Sequence, residues 1–188
     1  MVDALTDGVV SHAQTGSGAA FRAIYNHLAP AVNGYLLGKG VDDSEAITQD
    51  VFLAAFGQIA SVTGGAVGLR KLVFHIAHAR MVDHVRAVQR KQPTIEYSAD
   101  LDTRASPSAE STVVSGMERD RLLLLLDRLA ADQREVILLR VIGDLPLADV
   151  AQVMGKSVGA VKQIQRRGLG ALRVILDTTG GGDDATYR

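Results

Sequence analysis

The stretch DQREVILLRVIGDLPLADVAQVMGKSVGAVKQIQRRGLGALR, residues 132–173, decides the fold of the C-terminal part of the chain. Apolar residues recur at helical spacing on both sides of Gly155, which predicts two helices joined by a tight turn. Pro146 favours the first turn of the shorter helix, and Ser157 is a good N-cap for the longer one. The pattern is that of a helix-turn-helix, whose second helix can enter a DNA major groove.

The second helix of this motif carries its polar and basic side chains opposite its apolar stripe. From Lys156 to Leu176 there are five cations and no acid. Cations suit phosphates and small polar side chains suit base edges, so we expect this face to bind duplex DNA. The alternative interpretation is that these side chains form an ordinary solvent-exposed helix face that binds no DNA. The candidate contacts are Lys156, Ser157, Ala160, Lys162, Gln163, Arg166 and Arg167.

Two amphipathic helices, over residues 120–131 and 132–142, precede the motif, so a small domain of four helical segments is predicted over 116–178. We expect Asp132 to cap the second of them, with Glu135 in the capping-box position. A second helical domain is predicted over 17–92.

The overall expectation is an all-α fold of two small helical domains joined by a flexible linker. Residues 93–115 are rich in Ser, Asp and Pro and form that linker. Residues 1–16 and the glycine-rich tail 179–188 are expected to be disordered. No segment shows the strict alternation of a half-buried strand.

The amino-acid composition excludes several classes of protein. The chain has no Cys, which excludes disulfides and thiolate zinc sites. No apolar run approaches the roughly 18 residues of a membrane span, and the N-terminus lacks the basic start of a signal peptide, so we expect a cytoplasmic protein without membrane contact. The net charge of −1 does not itself indicate nucleic-acid binding, but the cations are concentrated in local basic strips.

One such strip runs from Arg70 to Lys91, with six cations against a single acid. His75, His78 and His84 lie in or near it, but no fourth ligand at metal spacing joins them, so we expect no metal. No activated nucleophile, phosphate loop or paired carboxylates can be recognised either. We therefore expect no cofactor and no enzymatic activity.

Three segments resemble a known family. SEAITQDVFLAAF (44–56) and GGAVGLRKLVFHIAHARMVDHVR (64–86) resemble conserved region two of sigma-70 family factors, and residues 132–173 resemble region four. Their order and spacing are those of the extracytoplasmic-function (ECF) subfamily, which retains these two regions and little else. The resemblance implies an alternative sigma factor that binds core RNA polymerase and reads the minus-10 and minus-35 promoter elements.

The resemblance also assigns residues to roles. It implies contact between the clamp helices of the largest polymerase subunit and Gln49, Asp50 and Phe52. The loop from Ser61 to Gly68 would capture a flipped minus-10 base, and the following helix would hold the exposed strand. Region four would meet the flap of the second-largest subunit, and an anti-sigma factor is an expected partner. The candidate minus-10 contacts are Ser61, Thr63, Gly64, Gly65, Arg70, Lys71, His78, Arg80 and Arg86.

The chain departs from the family pattern in places. The family usually has an aromatic residue at Leu72, and its common Ser-Arg pair is here Gln163-Ile164, so promoter sequence cannot be carried over. One alternative is a stand-alone helix-turn-helix regulator with a helical sensor domain. That alternative explains residues 116–178 but not the basic strip and Gln-Asp-Val-Phe helix of the first domain. An enzyme whose C-terminal helices merely resemble a DNA reader is a remote second alternative.

Overall fold

The structure is a computed structural model that describes residues 5–91 and 121–180, and every regular element in those ranges is a helix. The N-terminal bundle contains α1 (Asp7–Gln14), α2 (Gly18–Gly38), α3 (Ser44–Gly57), a 3-10 turn (Ile59–Ser61) and α4 (Gly65–Lys91). The C-terminal bundle contains α5 (121–127), α6 (Ala131–Val141), α7 (Leu147–Val153) and α8 (Val158–Gly180). The predicted all-α fold class is confirmed.

The core of the N-terminal bundle forms around α2, which α1, α3 and α4 all contact. Ile24, Leu28, Val32 and Leu36 recur every fourth residue on α2 and are fully buried. This spacing places them on one stripe, as the sequence periodicity predicted. The helix continues through Pro30, which is exposed.

Helix α1 corrects the expectation that residues 1–16 are disordered. The Thr6 side chain accepts a hydrogen bond from the Val9 N–H at 3.4 Å and so caps the helix, and Asp7 follows in its first turn. Val10 and Ala13 are each only 1% exposed. A helix of eight residues is too short to be stable alone, so its order depends on this burial.

The predicted linker 93–115 lies outside the described residues. The predicted disordered tail begins too early, because α8 continues to Gly180; the remainder, 181–188, is also outside the described part.

The turn between α7 and α8 has the predicted geometry. Gly155 has a φ of +62°, which glycine adopts without strain. The Ser157 hydroxyl accepts a hydrogen bond from the Ala160 N–H at 3.2 Å and caps α8. Val161 and Gly168 are buried on the inner side of α8, and a Cβ at Gly168 would lie 3.1 Å from Ile137 Cδ1. Helix α8 therefore packs closely against α6.

The predicted capping of α6 is wrong. The helix begins at Ala131, and its N-cap, Ala130, makes no side-chain hydrogen bond. Asp132 instead pairs with Lys156 at 3.1 Å. Glu135 is only 3% exposed and points toward the N-terminal bundle. Long-range contacts, which the local pattern could not show, determine the position of this carboxylate.

Candidate nucleic-acid interface

The loop between α3 and α4 is tightly folded. Gly64 and Gly65 have φ values of +80° and +57°, a region that favours glycine. A Cβ at Gly68 would lie 1.8 Å from the carbonyl oxygen of Thr63, so only glycine allows the two backbones to approach this closely. Ser61, Thr63 and Gly64 are exposed and Gly65 is half-buried. The loop residues predicted to contact a minus-10 base therefore have a defined backbone conformation.

Helix α1 holds this loop in place. The Ala66 N–H donates a hydrogen bond to Asp7 Oδ1 at 2.8 Å. Gln14 Nε2 donates to the carbonyl oxygens of Ile59, at 3.1 Å, and Val62, at 2.8 Å. Sequence reasoning missed both Asp7 and Gln14. The Thr6-Asp7 pair is a local signal for the start of a helix, but nothing local indicates what that helix touches.

The predicted minus-10 side chains of α4 fall into two groups. Arg80 and Arg86 are exposed. Arg70, Lys71 and His78 are half-buried and face the C-terminal bundle. The structure therefore does not bring the five side chains onto one free surface.

The first two of the inward-facing side chains contact the α6–α7 connection and α7. Arg70 Nη1 donates to the Gly143 carbonyl oxygen at 3.4 Å and lies 4.0 Å from Asp144 Oδ2. Lys71 Nζ lies 3.1 Å from Asp149 Oδ1. Each of these cations therefore already has an acidic partner in the C-terminal bundle.

His78 belongs to a buried polar group that also contains Tyr35, Lys39 and Glu135, here called the Glu135 cluster. The Tyr35 hydroxyl donates to Glu135 Oε1 at 2.5 Å, and His78 Nδ1 lies 3.0 Å from the same oxygen. Lys39 Nζ lies 2.5 Å from Glu135 Oε2. Three residues of the N-terminal bundle thus surround one carboxylate of the C-terminal bundle.

The surroundings of the carboxylate change its ionisation. Burial raises the pKa of Glu135, but the hydrogen bond from His78 and the charge of Lys39 outweigh burial, so the pKa lies below its ordinary 4.5. Burial, and then the Glu135 charge, raise the pKa of Tyr35 well above 10.0. Glu135 is therefore ionised and Tyr35 protonated at neutral pH, as the hydrogen bond between them requires.

The exposed side of α8 agrees with the sequence pattern. All seven predicted minus-35 residues are exposed, and they occupy the turn before α8 and its first three turns. Lys156 is held by Asp132 at 3.1 Å. The structure brings together on one outer face Lys156, Ser157, Ala160, Lys162, Gln163, Arg166 and Arg167.

On α3, Gln49 and Asp50 are exposed as expected, but Phe52 is only 2% exposed. Its ring centroid lies 4.9 Å from that of Tyr25, so Phe52 holds α3 against α2, and its prediction as a surface contact is wrong. Leu53, one turn after Gln49, is 73% exposed. Sequence reasoning missed Leu53 because a leucine in an amphipathic helix is usually a core residue.

Gln49 also lines an open groove of about 430 Å³ between α2 and α3. The groove contains the carboxylate of Glu45 and the side chain of Asn33, whose Oδ1 is buried without a hydrogen-bond partner. Glu45 is the one charged residue among those that line this groove, so the groove suits a basic side chain from a partner.

A pH titration tests the Glu135 cluster. The folded-state pKa is depressed, so the ionised carboxylate contributes stability above its unfolded pKa, and that contribution is lost as pH falls through the folded pKa. We expect Glu135→Gln to lower the melting temperature at neutral pH, and this difference from wild type to shrink as pH falls well below 4.5. Thermal unfolding of both proteins across this range measures it; a difference independent of pH would contradict the assignment.

Comparisons with known proteins match both bundles. Residues 125–174 match the family model described as sigma-70, region 4. The ECF sigma factor SigK of Mycobacterium ulcerans is 30% identical over 168 residues, which cover 87% of this chain and 89% of SigK. BldN of Streptomyces coelicolor is 29% identical over 171 residues; the match covers 89% of this chain but only 64% of BldN.

Solved structures share the fold. The chain superposes on CnrH, in its complex with the cytosolic domain of CnrY, with a TM-score of 0.64 and 21% identity over 92% of this chain and 97% of that one. For RpoE of Bartonella quintana, in complex with the anti-sigma factor NepR, the TM-score is 0.58 and the identity 22%, over 84% and 96% of the two chains.

Within residues 5–91 and 121–180, none of the helices has the length and apolar character to span a membrane. The relatives align with both bundles, including the N-terminal part that a stand-alone helix-turn-helix regulator would leave unexplained. That alternative is therefore not favoured. The chain belongs to the extracytoplasmic-function family of RNA polymerase sigma factors and acts as an alternative sigma factor in transcription initiation.

Proposed function

We propose that this sigma factor, acting in the cytoplasm, binds core RNA polymerase through α3 and reads its promoter with one surface from each bundle. The observation that carries the proposal is the exposed face of α8, where the predicted cations lie together opposite the side that packs on α6. No catalytic step is assigned to the chain itself, because its role is to position polymerase on DNA.

The minus-35 element would be read by α8. Lys162, Arg166 and Arg167 are spaced to contact phosphates along one groove, while Ala160 and Gln163 leave room for base edges. Departures from the family pattern at Gln163 and Ile164 mean that the preferred sequence must be measured.

Replacing both Arg166 and Arg167 with Ala tests this assignment. We expect transcription from minus-35-dependent promoters to fall about tenfold or more, because two phosphate or base contacts are lost. Binding to core polymerase should stay near the wild-type level. Run-off transcription with reconstituted enzyme and a pull-down against core polymerase measure the two effects. Arg173→Ala, further along α8, is the matched control; equal loss of polymerase binding would show that this face serves the polymerase instead.

The minus-10 element would be opened and read by the loop before α4. A pocket that accepts one extruded base offsets part of the few kcal/mol needed to unstack it. The loop has the fixed shape that such a pocket requires, since Asp7 and Gln14 hold it from α1. Exposed Arg80 and Arg86 are available for the backbone of the displaced strand.

Asp7→Ala removes the acceptor for the Ala66 N–H and should loosen the loop. We expect slower promoter opening, followed by permanganate reactivity of unpaired thymines, with normal binding to core polymerase. Ser11→Ala is the control, because Ser11 lies on the same helix and its hydroxyl, among the described residues, bonds only to the Asp7 carbonyl oxygen. An artificially pre-melted promoter should restore the Asp7→Ala rate; failure to do so would place the defect outside DNA opening.

The polymerase contact would be made by the exposed side of α3. Gln49 and Leu53 lie one turn apart on that side, with Asp50 beside them. Contact with a partner would remove the exposed apolar surface of Leu53 from water, and the adjacent groove, which contains the carboxylate of Glu45, suits a basic side chain. By family resemblance, the partner is the clamp helices of the largest subunit, while the C-terminal bundle meets the flap of the second-largest.

The double variant Gln49→Ala/Leu53→Ala should weaken binding to core polymerase about tenfold or more, because both side chains lie at the centre of the proposed contact. Fluorescence anisotropy of labelled protein titrated with core polymerase measures the affinity. Gln58→Ala is the control, since this exposed side chain just after α3 bonds, within the described part of the chain, only to the Ala54 carbonyl oxygen. Unchanged affinity in the double variant would exclude this side of α3.

An anti-sigma factor is the remaining proposed partner. One structure of the same fold is the complex of CnrH with the cytosolic domain of CnrY, and another is the complex of the sigma factor RpoE with the anti-sigma factor NepR. We include such a partner for this chain on the basis of that shared fold and family.

A further inference from the structure

The first three turns of α8 carry two kinds of polar side chain. Three are cations, Lys162, Arg166 and Arg167, and two are the glutamines Gln163 and Gln165. A cation gains affinity from the phosphates of any DNA sequence. The amide of a glutamine is uncharged, so its contribution to binding depends on hydrogen bonds to a particular base edge. The base preference of this segment therefore depends on which glutamine faces the groove.

Helical geometry turns Gln163 outward and Gln165 inward. Val161 and Gly168 are buried and mark the side of α8 that packs on the rest of the bundle. Because a helix has about 3.6 residues per turn, position 163 lies on the side opposite Val161, and position 165 lies about one turn after it on the same side. The burial of the two residues agrees, since Gln163 is exposed and Gln165 is half-buried.

The residues around Gln163 leave its amide open to a ligand. Gly159, one turn earlier, has no side chain, and a Cβ there would meet nothing within 4 Å. Ala160 contributes only a methyl group, and Ile164 is half-buried and packs against the core. The Gln163 amide makes no hydrogen bond to any described residue. Its donor and its acceptor are therefore both available to DNA.

A glutamine amide complements adenine in the major groove. The amide oxygen accepts a hydrogen bond from the adenine N6 amino group, while the amide NH₂ donates one to N7. Guanine presents two acceptors there, cytosine one donor, and thymine one acceptor beside its methyl group. None of these three bases uses both ends of the amide at once. Adenine is therefore the base that this side chain fits best.

We propose that Gln163 determines the base at one position of the minus-35 element and that it selects adenine there. The inference rests on the proposed role of α8 in minus-35 binding. By helical geometry, Lys162 and Arg167 lie on opposite flanks of Gln163, where the phosphates on the two edges of a groove would be. The cations thus hold the helix in the groove, and the amide between them reads the sequence.

Transcription with reconstituted polymerase from a promoter library randomised over the minus-35 region tests the proposal. With the wild-type factor, we expect adenine to be favoured about tenfold at one position, as a bidentate contact provides. Gln163→Ala should abolish that preference and leave the other positions unchanged. Gln163→Glu should shift it to cytosine, because a carboxylate accepts from cytosine N4 and cannot donate to adenine N7. Gln165→Ala is the matched control, a glutamine on the inner side of the same helix.

A base analogue tests the same contact atom by atom. In 7-deazaadenine a carbon replaces N7, while pairing with thymine is retained. Placed at the favoured position, it should lower wild-type transcription about fivefold, because one hydrogen bond is lost and the amide N–H has no acceptor. Gln163→Ala should transcribe the analogue and the adenine template equally. Circular dichroism and a pull-down against core polymerase check that the variants fold and bind polymerase.

Two outcomes would overturn the proposal: a Gln163→Ala variant that keeps the wild-type base pattern, or one that transcribes every library member equally less well, as loss of a phosphate contact would. The proposed function is tested separately by Arg166→Ala/Arg167→Ala on the same library. Wild-type behaviour of the arginine variant would remove α8 from minus-35 binding altogether. If that variant loses minus-35 dependence while Gln163→Ala keeps the base pattern, only the role of Gln163 fails.

Discussion

The rest of the structure depends on the burial of one carboxylate. Glu135 is 3% exposed, and a charge so placed is tolerated only when its oxygens are fully hydrogen-bonded. Within the described residues, its partners lie on α2, at the C-cap of α2 and on α4, in the other bundle. This requirement fixes the position of α6, and α6 in turn carries α7 and α8 with it. The identity of this one residue thereby determines how the two bundles pack against each other.

The same cations can serve two purposes because carboxylates and phosphates are similar ligands. Lys71 and Arg70 contact acidic side chains within the chain and would contact DNA in the initiation complex. Covering them also suits a factor that must not be diverted to nonspecific DNA, where affinity comes mainly from phosphate contacts. Under the proposed function, two weak DNA contacts would become effective when polymerase holds both bundles, since the second contact is then intramolecular.

The backbone conformation of the loop before α4 depends on glycines and hydrogen bonds rather than on charged side chains. Gly64, Gly65 and Gly68 permit a backbone path that side chains would block, and Asp7 and Gln14 select one path among those available. Flexible residues thus form a rigid element because a neighbouring helix supplies hydrogen bonds. Helix α1, which lies outside the recognised family segments, therefore contributes to the observed shape of the loop.

The sequence by itself determined the helical class, the helix-turn-helix and the exposed cations of α8, because periodicity, capping and turn glycines act within a few residues of one another. Family resemblance added the region-two assignment. Only the tertiary structure decided that α1 is ordered, that Glu135 is not a helix cap, and that Arg70, Lys71 and His78 face the other bundle. Each of these depends on which distant surface covers a residue, and burial between helices far apart in sequence leaves no periodic signal.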